Sequence, residues 1–141
     1  MSFRFIEHTA DIAVEIEEDS IEKLFITSAN AWRISVMEGI SPQIESSKKF
    51  IFTSATFEEL LIEFLNELNF QLYTRKWVSV SVKEIKFQKL ESGYQLEVET
   101  LGQSFNPAIH LLKEEIKAVT YHQLVIEKKK NVFSTRIVFD I

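Results

Sequence analysis

The chain has no cysteine, only 3 glycines and only 2 prolines, and each shortage removes a class of protein. Without thiols there is no disulfide framework, no thiolate metal site and no cysteine nucleophile. So little glycine and proline excludes a low-complexity or collagen-like chain. No glycine-rich loop is present to cradle a phosphate, and no serine sits in a Gly-x-Ser-x-Gly elbow. His110 and His122 lack the spacing of a metal pair, and no set of nucleophile, base and orienting group can be assembled. No apolar run approaches the ~20 residues of a membrane helix. Met1 to Glu7 reads as a short alternating strand, not a signal peptide. Basic residues are also in deficit, 16 Lys and Arg against 21 Asp and Glu, giving a net charge of −5 and a pI near 5.3. Such a chain gains little from counterion release, so nucleic-acid binding by the protein alone is not expected. A basic protein partner could instead be steered onto it. The expectation is a soluble, cytoplasmic protein with no membrane association.

What is abundant is apolar: 45% of 141 residues, with 12 phenylalanines. That suits a single domain over residues 1–141, large enough to bury roughly two-thirds of its unfolded surface. Phe3–Ile6 and Ile12–Glu17 alternate as strands. Asp19-Ser20-Ile21-Glu22 has capping-box character and opens a helix through Leu24, Phe25, Ser28, Ala29, Trp32 and Val36, closed by Gly39 and Pro42. Lys49–Phe52 is a third strand. Thr56-Phe57-Glu58-Glu59 caps a second helix, whose wide face of Leu60, Leu61, Phe64, Leu65, Leu68 and Leu72 predicts packing on several sides. From Trp77 the pattern turns to strands: Val78–Val82, Ile85–Phe87 and, after a turn at Glu91-Ser92-Gly93, Tyr94–Thr100. Gly102–Glu114 reads as irregular around Asn106-Pro107. A closing hairpin, Ala118–Glu127 and Val132–Asp140, flanks a Lys128–Asn131 turn. Strands and helices mix without strict βαβ alternation, which predicts an α+β fold: two helices packed on a mostly antiparallel sheet as a two-layer sandwich.

Carboxylates at strand ends carry the candidate chemistry. Asp140 and the α-carboxylate of Ile141 put two negative charges within one residue. If the strands of Asp11 and Asp140 are neighbours, three carboxylates gather in a hard-oxygen site suited to Ca²⁺ or Mg²⁺ and poorly matched to zinc. The competing description has Asp11 capping a turn and Asp140 solvated. His8 is either a ligand or proton shuttle, or a turn residue bonded to backbone. Glu115 and Lys117 are either part of a surface charge cluster or the rim of the carboxylate site. Lys128–Lys130 reads as a solvated turn.

Four stretches in order carry a resemblance: His8-Thr9-Ala10-Asp11, the helix Leu60–Leu68, Glu115-Ile116-Lys117-Ala118-Val119-Thr120-Tyr121-His122, and the final Phe139-Asp140-Ile141. With them the chain resembles the archease family along nearly its whole length. The resemblance implies an accessory protein, not an enzyme, that assists the tRNA-splicing RNA ligase joining 2′,3′-cyclic phosphate and 5′-hydroxyl RNA ends. It would promote guanylylation of that ligase and repeated turnover. It also implies a divalent metal, commonly taken as calcium, held by Asp11, Asp140 and the Ile141 carboxylate, with Lys117 and Glu115 as activity determinants nearby. Asn106 stands where many members carry Asp. The alternatives are a small metal-dependent phosphoesterase, or a chaperone-like binding module whose metal is structural.

Overall fold

The computed structural model describes residues 2–6, 11–38, 43–121 and 124–141. Along the chain the elements are β1 (Ser2–Ile6), β2 (Asp11–Glu18), α1 (Ile21–Val36), β3 (Met37–Glu38), β4 (Ser46–Ser54), α2 (Phe57–Tyr73), β5 (Trp77–Leu90), β6 (Gly93–Ser104), β7 (Leu111–Leu112), β8 (Ala118–Thr120), β9 (Glu127–Lys129) and β10 (Val132–Asp140).

Both helices start where the capping residues place them. The Ser20 hydroxyl accepts the Lys23 N–H and the Thr56 hydroxyl accepts the Glu59 N–H, each at 3.1 Å, satisfying donors that the first helical turn leaves open. α1 ends at Val36 as Met37 turns extended. The expected stop at Gly39 and Pro42 lies outside the described residues.

All strand pairs are antiparallel, and the α+β class holds. The strands divide among three sheets. One runs β1-β2-β10-β8, with β9 also on β10; a second runs β4-β6-β5; β3 and β7 form a short third. The stretch read as separate strands from Val78 to Phe87 is one strand. Register shifts between Ser79 and Ser81 and between Val82 and Glu84 re-aim its side chains, as bulges do. Gly93, in the turn to β6, has φ +113°, and a Cβ there would lie 2.3 Å from the Ser54 carbonyl, so only glycine fits.

Of the expected strand Ala118–Glu127, β8 ends at Thr120, Tyr121 and residues 124–126 are not in a strand, and residues 122–123 lie outside the described residues. Side chains take over from the ladder there: the Glu58 carboxylate accepts the Ile126 N–H at 3.0 Å, and the Thr135 hydroxyl donates to the Val125 carbonyl at 2.8 Å.

Both helices touch both larger sheets. This explains the wide apolar face of α2, where Leu60, Leu61, Ile62, Phe64, Leu65, Leu68 and Leu72 are all buried. Trp32, Phe25, Phe64 and Phe139 are the largest fully buried side chains. Truncating such an aromatic to alanine costs about 3–5 kcal/mol. Ile12, Val14 and Ile16 of β2 stand opposite Phe139, Ile137 and Thr135 of β10 on the helix-facing side. Asp11 and Asp140 are therefore on the other face, at the end of the same ladder.

Candidate functional site

Strand alternation determines what meets at that end. In β2 and β10 the residues one step from the core positions form rows across the sheet. Arg4, Glu15 and Arg136 make one row, and Arg4 and Glu15 form a salt bridge. Charge alternates along this row. Two residues on come Ala13 and Val138, and then Asp11 and Asp140, which are paired with each other. On its other side Asp140 is paired with Ala118, whose methyl group covers little. Directly opposed residues have Cβ atoms about 4.5–5.5 Å apart, and like charges there repel. Asp140 is exposed, while Asp11 and Ile141 are half-buried. Among the described residues no basic side chain forms an ion pair with Asp140.

The segment before β8 is docked on this end of β10. The Lys117 N–H donates to the Asp140 carbonyl at 2.8 Å. α2 holds that segment with three polar side chains on successive turns. Asn66 pairs with both backbone groups of Val119. Asn69 donates to the Ile116 carbonyl at 2.7 Å and accepts the Trp32 indole N–H at 3.0 Å. The Tyr73 hydroxyl donates to the Glu114 carbonyl at 3.1 Å and accepts the Ile116 N–H at 3.3 Å. Burial holds the Tyr73 phenol above its usual pKa; the Ile116 N–H opposes this, and the nearby Glu115 charge adds to it. Glu115 and Lys117 are both exposed on a loop whose backbone is pinned from behind.

A crevice of about 340 Å³ opens beside Asp11, with Phe5, Ile34, Lys113 and Glu114 among its lining. Lys113 is tied to α1 through its N–H on the Val36 carbonyl, and its ammonium lies 3.9 Å from the Glu38 carboxylate. It was not singled out from sequence, and neither were Asn66, Asn69 and Tyr73. The signal for these three was available: polar positions 66, 69 and 73, spaced by three and four inside an apolar helix.

The structure thus brings Asp11 and Asp140 together and places the Lys117 main chain against them. His8 lies outside the described residues. Among the described residues no group of three or more His, Asp or Glu side chains gathers. The oxygen donors to hand are the two Asp carboxylates and the main chain of Ile141, and such a set suits a hard divalent cation. Asn106 has local work: its side-chain oxygen accepts the Ala108 N–H at 2.9 Å, and its own N–H donates to His110 Nδ1 at 2.7 Å. His110 Nε2 lies 3.0 Å from Gln103 Oε1, so this pair stabilises its own loop.

A profile of the Archease protein family (MTH1598/TM1083) matches residues 3–141. Protein archease of Methanosarcina mazei is 28% identical over 139 residues, spanning 99% of this chain and 95% of its own. Protein archease of Pyrococcus abyssi is 33% identical over 122 residues, spanning 86% and 85%. The solution structure of Methanobacterium thermoautotrophicum protein 1598 superimposes with a TM-score of 0.83 at 23% identity, over 99% of this chain and 98% of that one; this is a likeness of fold. A Thermotoga maritima crystal structure described as "an archease, possible chaperone" superimposes with a TM-score of 0.65 at 28% identity, over 96% and 94%.

Proposed function

The chain belongs to the archease family, and from that premise we propose that it is an accessory protein of the tRNA-splicing RNA ligase and not itself an enzyme. It promotes guanylylation of the ligase and allows repeated joining of 2′,3′-cyclic phosphate and 5′-hydroxyl RNA ends. One observation carries the reading most directly: Asp140 is paired with Asp11 at the end of the β2–β10 ladder, beside the anchored Glu115–Lys117 loop.

Asp11, Asp140 and the Ile141 carboxylate would hold a hard divalent cation, with calcium the ion that the archease resemblance implies. Held there, a divalent ion would supply positive charge for phosphate oxygens. Lys117 and Glu115, exposed on the same edge, contact the partner. Their backbone is held by Asn69 and Tyr73, which lowers the ordering cost of docking. His8, three residues before Asp11 in the sequence, is a further candidate activity determinant, as the family resemblance implies.

The test is RNA joining by the cognate ligase at limiting concentration, with GTP and divalent metal, with and without this protein. Product beyond one equivalent of ligase only when the protein is present supports the reading, and Asp11→Ala and Asp140→Ala should abolish that gain while the fold survives. An unchanged yield would remove it.

A second reading follows from the Thermotoga maritima description: a chaperone-like module whose cation is structural. It predicts suppressed aggregation of an unrelated client, and loss of stability alone on Asp11→Ala.

A further inference from the structure

A second surface lies along the outer side of α2. Glu59, Glu63, Glu67 and Phe70 are spaced by four, four and three residues, so they follow one stripe of the helix about 16 Å long. Beside the stripe is a groove of about 380 Å³ lined by Phe52, Glu63, Asn66, Glu67, Phe70 and Tyr121. Phe70 and Tyr121 are 44% and 57% exposed, which places two aromatic faces in one open groove.

Glu59, Glu63 and Glu67 are all half-buried. Among the described residues none forms an ion pair with a basic side chain. Glu63 accepts the Ser54 hydroxyl at 3.1 Å, and Glu67 accepts the Gln71 amide at 2.8 Å, whose own oxygen accepts the Lys48 ammonium. The charges of Glu63 and Glu59 reach the Tyr121 hydroxyl and, after burial, help hold that phenol in its protonated form. The Phe70 ring already accepts a guanidinium, with Arg75 lying 5.7 Å from its centroid.

We propose that this groove docks an arginine-bearing segment of a partner protein, with guanidinium groups stacked on Phe70 and Tyr121 and paired to Glu63 and Glu67. Carboxylates recognise guanidinium through paired hydrogen bonds, and exposed aromatic faces add a cation–π contact. The same charge repels nucleic acid phosphates. Asn66 lines the groove and also holds Val119, next to the residue paired with Asp140. The proposal does not depend on the identity of that partner as the ligase.

A fluorescein-labelled hexa-arginine peptide, titrated into the protein by anisotropy at low salt and mapped by amide shifts, tests it. Shifts should centre on residues 63–70 and Tyr121. Glu63→Gln with Glu67→Gln should weaken binding about tenfold, and Tyr121→Ala should weaken it further. Glu17→Gln with Glu91→Gln, which removes two exposed carboxylates elsewhere, should leave it unchanged. Equal weakening by both double variants would reduce the effect to bulk charge and overturn the proposal. Absence of binding, shifts centred on Asp11 and Asp140, or a uridine hexamer moving the same groove residues would each overturn it too.

Discussion

Asn66 meets the peptide of Val119 edge-on: its Oδ1 accepts the Val119 N–H at 2.9 Å and its Nδ2 donates to the Val119 carbonyl at 3.1 Å. β8 is the outer strand of its sheet, so one side chain of a helix stands in for the missing neighbouring strand. Edge strands left open invite pairing with other chains, and here the opening is closed from within.

Removing that side chain should cost stability and order together. Asn66→Leu leaves both Val119 groups without their partner, at about 1–3 kcal/mol for each if water does not replace it. The expected result is a lower urea midpoint with an unchanged slope, and faster amide exchange at Val119 than at Val14. An unchanged midpoint would show that the amide contributes nothing to anchoring β8.

Asn69 is the more buried of the pair, at 7% exposure, and serves two buried partners, the Trp32 indole and the Ile116 carbonyl. Asn69→Leu should therefore destabilise more than Asn66→Leu. Adding Trp32→Phe removes the stranded indole N–H, so the double variant should lose less than the sum of the singles, by about 0.5–3 kcal/mol. Strict additivity in that cycle would mean the indole and the amide are not coupled.

Tyr73 gives a pH dependence of definite sign. Burial, with Glu115, raises its pKa above the ordinary value of 10.0. The folded state then keeps the phenolic proton where the unfolded chain has lost it. Its contribution is complete below pH 10 and is lost as pH rises through the raised folded value. As pH rises above about 10, wild type should lose stability more steeply than Tyr73→Phe, and Glu115→Gln should move the Tyr73 absorbance titration down towards 10. Parallel alkaline losses in wild type and Tyr73→Phe would show that other groups are responsible.

How much of this was legible in the sequence depended on range. The helix starts were local, and Ser20 and Thr56 marked them. The meeting of Asp11 with Asp140 was conditional, because it requires β2 and β10 to be neighbours in one register, and a slip of one residue would send the two side chains to opposite faces. The break in the strand after Thr120 was hidden, since the bonds that replace its ladder come from Glu58 and Thr135. Asn66, Asn69 and Tyr73 were passed over because a helix read for its apolar stripe treats polar positions as its solvent side. Gly93 reads as a turn residue from its neighbours, whereas its closeness to Ser54 follows only from the β4–β6 pairing.

The paired carboxylates make a prediction independent of any partner. With excess EDTA present, Asp11 and Asp140 face each other across the ladder with like charge, and a neutral isostere at either position should relieve that repulsion. Asp11→Asn or Asp140→Asn should then be as stable as wild type or more so, by up to about 1 kcal/mol. Added calcium should reverse the order. An ion that binds only the folded state stabilises by about 2.7 kcal/mol at a concentration 100 times its dissociation constant. Wild type should therefore gain thermal stability with calcium while each variant gains little. Amidation of the Ile141 carboxylate should diminish the gain in the same way, because an amide removes a charged oxygen donor from the set. If calcium, magnesium and manganese all leave the wild-type transition unmoved, the carboxylates do not form a cation site, and Asp140 must act through its exposed charge alone.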